Sequence, residues 1–330
     1  ADFGFNDKAD GHTLAGVKFA TLPTAGTLTL SGKAIKAGQV VSSADLGKLT
    51  YTPTANATTP ASFSFQVIDN GGKADGGIDT DPTPNAFRFS ITPVNDAPFG
   101  SDKVVSMPED KRYVFKTGDF GFSDKIDGNA FHAVKIAALP TVGSLSLAGK
   151  AVKSGQIVSI AEIGKLAYTP PANDFGKGLA SMKFQVIDNG GTANGGRHID
   201  PTPNIVTFNV ADVTDIIRGT LKADKLKGTQ GKDVLDGRAG ADTLTGGSGA
   251  DTFVFKTGYD RDKITDFTAT GSNHDILDLA GLKSVTSFAD LKKNHLSTHG
   301  ADVWIDGGKG DVLILKGIKT GDLTKGDFLF

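Results

Sequence analysis

Short runs of alternating apolar and polar residues recur along the first two thirds of the chain. Residues 63–67 (FSFQV) form one such run and residues 206–210 (VTFNV) form another. The runs are separated by segments rich in Gly, Pro, Asn and Asp. An alternation with period two, bounded by turn-forming residues, predicts short strands that each bury one face. Several such strands in succession predict antiparallel β-sandwiches.

The alternating region consists of two copies of one unit. Residues 1–53 align without gaps to residues 118–170, with 32 identical positions. After a two-residue insertion the match resumes at "FQVIDNGG", which stands at 65–72 and again at 184–191. Residues 99–117 precede the second copy, and the first copy has no counterpart to them. Two interpretations follow: the chain is a fragment of a longer protein, or a neighbouring subunit donates the missing strand to an open sheet edge.

The motifs of this unit resemble the bacterial cadherin-like repeats of large secreted surface proteins. They are "DFGFSDKIDG", "LPTVGSLSLAGKAVKSGQIVS", "FQVIDNGG", "DPTPN" and the linker "VNDAP". The resemblance implies tandem sandwiches with calcium at the junctions between units. The candidate ligands at such junctions are Asn95, Asp96, Glu109, Asp110, Asp124, Asp127, Asp7 and Asp10. Turn formation is the alternative role for these residues, because Asp and Asn also start turns.

The last third of the chain carries an aspartate every nine residues, at Asp224, Asp233, Asp242 and Asp251. In each nonapeptide, six glycine-rich residues predict a tight turn with exposed carbonyl groups. The other three predict a short strand with one inward-pointing Leu or Phe. This spacing resembles the RTX calcium-binding nonapeptide repeat, and the resemblance implies that two nonapeptides complete one coil, so that aspartates 18 residues apart stack. We therefore expect Asp224 beside Asp242 and Asp233 beside Asp251.

Stacked carboxylates favour a hard divalent cation, because two of them about 4 Å apart repel by roughly a few kcal/mol at an effective dielectric constant near 20. Calcium takes six to eight oxygen ligands, whereas magnesium gives up its waters reluctantly. The aspartates and the carbonyl groups at Gly231, Gly240 and Gly249 offer such oxygens. Composition agrees, since Glu109 and Glu162 are the only glutamates among 37 acidic residues.

The two stacked pairs are not equally regular. The first nonapeptide carries Lys222 where the later ones carry a second glycine. We therefore expect the better calcium site between Asp233 and Asp251, and a weaker one between Asp224 and Asp242.

The nonapeptide template G-x-x-G-x-D-x-L-x resembles the RTX, or hemolysin-type, calcium-binding repeat. The stretches "GGSGADTFVF", "DKITDF", "HDILDLAGL" and "GDFLF" resemble the C-terminal region of serralysin-type secreted proteins. This resemblance implies a parallel β-roll, an uncleaved signal for type I secretion, and export as an unfolded chain that folds around calcium outside the cell. Residues 287–295 predict a short helix.

The sequence lacks the common signatures of catalysis. It contains no H-E-x-x-H, no G-x-S-x-G, no phosphate-binding loop and no cysteine. His295 and His299 are four residues apart without a carboxylate between them, so they predict no zinc site. Lysines are spread along the sequence rather than clustered, so we expect no nucleic-acid module. The sequence contains no run of about 18 apolar residues, so we expect no transmembrane helix.

These patterns predict an all-β chain with three parts: cadherin-like sandwiches at residues 1–98 and 99–217, and a parallel β-roll with a C-terminal β cap at 218–330. We predict a non-enzymatic, calcium-binding structural or adhesive protein, secreted or on the surface of a Gram-negative bacterium. Polysaccharide, another cell-surface ligand or identical subunits are the expected partners. The alternatives are a self-assembling filament or surface-layer subunit that uses strand donation, and the non-catalytic C-terminal region of a larger secreted enzyme.

Overall fold

The computed structural model describes residues 2–330, in which β-strands joined by turns predominate. The residues group into two units. The first contains the chain up to Asp96 together with Lys125–Gly128 and Gly190–His198, and the second contains the rest. No helix among residues 2–330 has the length and apolar character that crossing a membrane requires.

The first unit holds a sandwich of two sheets. Its strands are β1 (Leu14–Phe19), β2 (Thr27–Leu30), β3 (Lys33–Ala34), β4 (Val40–Ser42), β5 (Leu49–Thr52), β6 (Ala61–Asp69) and β7 (Asn85–Phe89). One sheet has the order β4-β1-β6-β7 and the other β3-β2-β5, with antiparallel pairing throughout. Alternate residues face inward, so that Phe63 stacks on Phe87 with ring centroids 5.2 Å apart. The period-two pattern thus produces one apolar face per strand.

The second sandwich lies within the second unit. Its strands are β8 (Lys103–Pro108), β9 (Tyr113–Val114), β10 (Phe131–Ala138), β11 (Ser144–Leu147), β12 (Lys150–Ala151), β13 (Ile157–Ser159), β14 (Leu166–Thr169), β15 (Gly176–Asp188) and β16 (Asn204–Ala211). The sheet orders are β13-β10-β15-β16-β8 and β12-β11-β14-β9. Strand β8 pairs in parallel with β16, and its residues Val105 and Met107 join the core with Phe208. Residues 99–117 therefore add two strands to this copy, β8 and β9.

The roll, formed by the remaining strands of the second unit, has two sheets. Its strands are β17 (Asp215–Arg218), β18 (Lys225–Lys227), β19 (Asp233–Asp236), β20 (Thr243–Thr245), β21 (Thr252–Val254), β22 (Arg261–Ile264), β23 (Ile276–Asp278), β24 (Leu296–His299), β25 (Asp302–Gly308), β26 (Asp311–Leu315) and β27 (Phe328–Leu329). One sheet has the order β17-β19-β21-β23-β27 and the other β18-β20-β22-β26-β25-β24. All pairs are parallel except the antiparallel cap β24-β25-β26.

The coil of the roll is 18 residues long in its first turns. Leu226 pairs with Leu244, and Leu235 pairs with Phe253, in parallel register. The side chains of Leu235, Leu244 and Phe253 are fully buried, so each strand contributes one core residue. An α-helical turn, Phe288–Asp290, continues as a π-helical turn, Leu291–His295.

Short 3-10 helices complete the secondary structure. They are Ser43–Lys48, Ala74–Gly76, Thr117–Phe120, Ile160–Lys165, Ala193–Gly195 and Lys325–Asp327. The predicted all-β fold, with two sandwiches followed by a parallel roll, is confirmed, and so is the short helix near residue 290. The division of the chain at residues 98 and 217 stays a prediction.

Candidate metal centre

Two columns of stacked aspartates run along the roll, one beside each sheet. The first column consists of Asp224, Asp242 and Asp262, and the second of Asp233, Asp251 and Asp275; together we call them the aspartate ladder. In each column the backbone amide of one aspartate donates a hydrogen bond to Oδ1 of the aspartate one coil later, over 2.7–2.9 Å. The stacking of Asp224 with Asp242 and of Asp233 with Asp251 is therefore as the sequence predicts.

The sequence analysis missed Asp262 and Asp275. They follow their predecessors by 20 and 24 residues rather than 18, because longer loops interrupt the nonapeptide period. The sequence does contain a signal for them, because each of these aspartates directly precedes the apolar residues of the next strand, in "RDKI" and "HDIL".

The second carboxylate oxygen, Oδ2, divides the ladder into two classes. The Oδ2 atoms of Asp224 and Asp233 accept hydrogen bonds from the amides of Thr220 and Thr229, at 2.7 and 2.6 Å. Asp275 Oδ2 likewise accepts from an amide. These oxygens are satisfied within the protein.

Three ladder aspartates keep an unpaired oxygen. The Oδ2 atoms of Asp242, Asp251 and Asp262 are buried and have no hydrogen-bond partner among the described residues. Arg238 and Gly247 occupy the second position of the third and fourth nonapeptides, with φ of 67° and 103°. Neither backbone amide donates a hydrogen bond to the ladder aspartate of its own nonapeptide, Asp242 or Asp251. A buried polar atom without a partner costs about 1–3 kcal/mol, so such atoms point to a missing ligand.

Burial raises the pKa of the ladder carboxyls. Burial, together with the charges of neighbouring aspartates, raises the pKa of Asp262 to about 7 and that of Asp251 to about 6. Burial likewise raises the pKa of Asp233 and Asp242. By contrast, hydrogen bonds from Thr220 lower the pKa of Asp224, which is more exposed. The two largest upward shifts of pKa thus belong to Asp251 and Asp262, whose Oδ2 atoms have no partner.

Glycine lets the turns of successive coils approach closely. Gly240 and Gly249 adopt φ of 122° and 135°, a region that other residues rarely enter. A β-carbon at Gly240 would lie 2.6 Å from the Lys222 carbonyl carbon, and one at Gly249 would overlap the carbonyl oxygen of Gly231. Turn carbonyls are thus stacked one coil apart, beside the carboxylates.

No basic side chain among residues 2–330 forms an ion pair with a ladder carboxylate. Every ion pair between basic and acidic side chains of residues 2–330 lies outside the six ladder positions. A calcium ion fits this donor set, since it requires only oxygen ligands and tolerates irregular geometry.

The predicted junction residues are divided between the two units. In the first unit, Asp7 Oδ1 accepts from the amide of Asp10 at 3.2 Å, and the amide of Asp96 donates to Asp127 Oδ2 at 2.5 Å. Asn95 donates from Nδ2 to the carbonyl oxygen of Arg197 at 2.7 Å.

Three predicted junction residues lie in the second unit. Asp124 Oδ2 accepts from the amide of Asn129 at 3.2 Å, and Asp110 Oδ1 accepts from that of Asn173, also at 3.2 Å. Glu109 is buried and accepts from the amide of Val213 at 2.7 Å; burial and the nearby Asp212 and Asp110 carboxylates raise its pKa. Metal binding by these junction residues stays a prediction.

Two segments of the chain match known protein families. Residues 214–261 match the RTX calcium-binding nonapeptide repeat, in four copies. The matched residues include four of the six ladder aspartates, Asp224, Asp233, Asp242 and Asp251. Residues 6–80 match the bacterial Ig domain. Both families are of non-catalytic kinds, and the RTX match confirms calcium as the ion and supports an extracellular structural or adhesive protein.

The solved structures that match this chain include an extracellular lipase, a subunit of an epimerase and a protocadherin. Extracellular lipase LipA from Serratia marcescens is 13% identical, with 45% of this chain and 29% of the lipase covered and a TM-score of 0.28. The AlgE6R3 subunit of the Azotobacter vinelandii mannuronan C5-epimerase is 24% identical, with 36% and 78% covered and a TM-score of 0.22. Human mucin-like protocadherin EC1-2 is 16% identical, with 62% and 86% covered and a TM-score of 0.31. The chain thus spans less than a third of the lipase's length, and no curated protein sequence matches it.

Proposed function

We propose that the protein is secreted by a Gram-negative bacterium. Outside the cell, calcium folds and stiffens the roll, and the two sandwiches act as an adhesive stalk. The observation that carries the calcium-dependent part is the buried, unpaired Oδ2 of Asp242, Asp251 and Asp262. In this proposal each of these oxygens binds calcium, together with carbonyl groups of the glycine turns.

Repulsion between the carboxylates makes the roll depend on a cation. Two unit charges 4 Å apart repel by about 4 kcal/mol at an effective dielectric constant of 20. Asp262 is affected by the charges of Asp242, Asp260 and Asp311, and Asp251 by those of Asp275 and Asp233. Native domains have only about 5–15 kcal/mol of stability, so a few such terms suffice to unfold an ion-free roll.

Calcium concentration then acts as the switch for folding. Extracellular calcium modules bind with Kd of about 10⁻⁴–10⁻³ M, well above the calcium level of a cytosol. Because a ligand that binds only the folded state adds its binding free energy to stability, the roll would stay unfolded inside the cell and fold outside it. This order of events suits a chain that is exported unfolded.

We assign the adhesive surface to the sandwiches at residues 1–98 and 99–217, with an extracellular polysaccharide or another cell-surface ligand as partner. The chain has nearly balanced charge, with 35 basic and 37 acidic residues. Once calcium neutralises aspartates of the roll and of the predicted junctions, lysines are in excess over the remaining carboxylates, which favours an acidic polysaccharide.

The folding proposal is tested on the full chain with Trp304, the only tryptophan, as a reporter for the roll. We expect that millimolar calcium, added to protein in EGTA, produces a cooperative change in Trp304 fluorescence and a gain of β signal in far-ultraviolet circular dichroism. Equal spectra with and without calcium would contradict the proposal.

Two variants locate the response. Asp251→Asn removes a carboxylate with an unpaired oxygen and should raise the calcium concentration at the midpoint severalfold. Asp224→Asn is the matched control, because Thr220 already satisfies its Oδ2; it should shift the midpoint little. A glycan array, run with and without calcium, tests the polysaccharide part independently, and an array without calcium-dependent signals would argue against it.

A further inference from the structure

A second group of possible metal ligands lies in the first unit, far along the chain from the aspartate ladder. Asp7, His12 and Asp69 each offer one donor atom, and these atoms all lie within 4.8 Å of one another. His12 Nδ1 is 3.4 Å from Asp7 Oδ2. Among residues 2–330 this is the one group of three or more His, Asp or Glu side chains that converge so closely.

Backbone hydrogen bonds hold one oxygen of each carboxylate in place. The amide of Asp10 donates to Asp7 Oδ1 at 3.2 Å, and the amide of Gly71 donates to Asp69 Oδ1 at 2.6 Å.

The position of His12 also depends on local backbone structure. The neighbouring Thr13 donates from its amide to Asn70 Oδ1 at 2.8 Å and accepts from the Asn70 amide at 3.0 Å. This reciprocal pair ties the loop of His12 to the loop that follows Asp69. Gly71 permits the close approach, since a β-carbon there would lie 2.5 Å from the His12 ring as it is placed here. The imidazole thus lies against the backbone with its side chain 41% exposed.

We propose that Asp7, His12 and Asp69 bind a divalent transition metal of the zinc class. One imidazole nitrogen and two carboxylate oxygens are a donor set that suits zinc, cobalt or nickel. Calcium takes oxygen ligands and has little affinity for imidazole. The exposed edge of the cluster leaves room for water or an external ligand as the fourth donor. The site differs from the ladder in both its place and its ion.

The second copy of the repeat differs from the first at one of the three ligand positions. Asp7 aligns with Asp124 and Asp69 with Asp188, whereas His12 aligns with Asn129. The second copy therefore offers oxygen donors only. One substitution between two otherwise similar repeats changes the preferred ion, and it supplies the natural test variant.

The test uses the full chain saturated with calcium, so that oxygen-only sites are filled. Cobalt and zinc are then added separately, and binding is measured by the visible absorption of cobalt and by calorimetry for zinc. We expect one cobalt equivalent whose absorption band is that of a site with nitrogen ligation, and its displacement by zinc. His12→Asn should weaken the binding of both metals at least about tenfold.

The control is His132→Asn, which removes an exposed histidine outside the cluster. It should leave metal affinity unchanged, and both variants should keep the far-ultraviolet spectrum and calcium response of the parent chain. Equal affinity of His12→Asn and the parent would overturn the proposal. So would an equal loss in His132→Asn, because that result indicates adventitious binding to surface histidines. Neither outcome bears on the calcium response of the roll.

Discussion

Replacing Asp262 with asparagine should stabilise the calcium-free roll and weaken the calcium-bound one. Asp262 is fully buried, and its pKa is about 7 instead of the ordinary 3.8. At about 1.36 kcal/mol per pKa unit, keeping the ionised carboxylate in the folded roll costs about 4 kcal/mol. Asparagine retains an oxygen that accepts from the Asp242 amide, but it buries an amide group at a cost of about 1–3 kcal/mol if unpaired. The expected net gain is therefore about 1–3 kcal/mol.

The stability that Asp262→Asn gains over the parent in the calcium-free state should increase with pH. Between about pH 4 and pH 7 the folded Asp262 carboxyl holds a proton that the unfolded one has released, so the folded state binds more protons. The stability of the calcium-free parent roll therefore falls as pH rises through this window. Asparagine does not titrate, so the advantage of Asp262→Asn should be present at pH 8 and absent at pH 5.

Urea unfolding followed by Trp304 fluorescence measures these differences. Trp304 stacks on His299 with ring centroids 4.0 Å apart, and unfolding of the roll separates the two rings. In EGTA at pH 8, where the parent roll is largely unfolded, Asp262→Asn should have a larger folded fraction before urea is added; in millimolar calcium it should unfold at lower urea than the parent. The reasoning is refuted if the variant is the less stable protein in EGTA at pH 8, or if the calcium-free parent gains stability from pH 5 to pH 8.

Two further substitutions test the packing of the roll. Leu244→Ala deletes a fully buried core side chain and should cost about 2–5 kcal/mol in calcium, measured as a lower urea midpoint of the Trp304 signal; a change below about 0.5 kcal/mol would show that the strand is not packed as described. Gly249→Ala places a β-carbon against the Gly231 carbonyl oxygen at a φ of 135°, so it should lower both the melting temperature and the calcium affinity. Gly321→Ala is its control, because nothing lies within 4 Å of the added carbon, and similar losses in both variants would contradict the account.

The nonapeptide register could be predicted from sequence because it follows from a fixed period. Each repeat places one Leu or Phe inward and one aspartate at the end of its turn, so stacking at 18 residues is a consequence of the spacing. The hydrogen bonds from Asp224 to Asp242 and from Asp233 to Asp251 have this spacing.

The aspartates that keep a free oxygen could not be predicted in the same way. The sequence suggests the site between Asp233 and Asp251 as the better one, yet the Thr229 amide already occupies Asp233 Oδ2. That hydrogen bond depends on the backbone conformation at the second position of the turn, where Arg238 and Gly247 adopt positive φ. A consensus template treats these positions as equivalent, although their amides point differently.

The sequence analysis also missed residues that do not follow the nine-residue spacing, for a related reason. Asp262 continues its column across a 20-residue coil, which a search for nine-residue spacing passes over. His12 was missed because its partner Asp69 lies 57 residues away, and only the antiparallel pairing of β1 with β6 brings the two loops together. The difference between His12 and Asn129 in the aligned repeats was the available signal.

The central claim is that calcium binds where the ladder leaves oxygens unpaired, and a crystal structure of the calcium-saturated chain with anomalous scattering tests it most directly. The account predicts calcium peaks about 2.3–2.6 Å from Oδ2 of Asp242, Asp251 and Asp262, with turn carbonyl groups completing the shell. Peaks confined to Asp224 and Asp233, or a ladder without any calcium at saturating concentration, would contradict it.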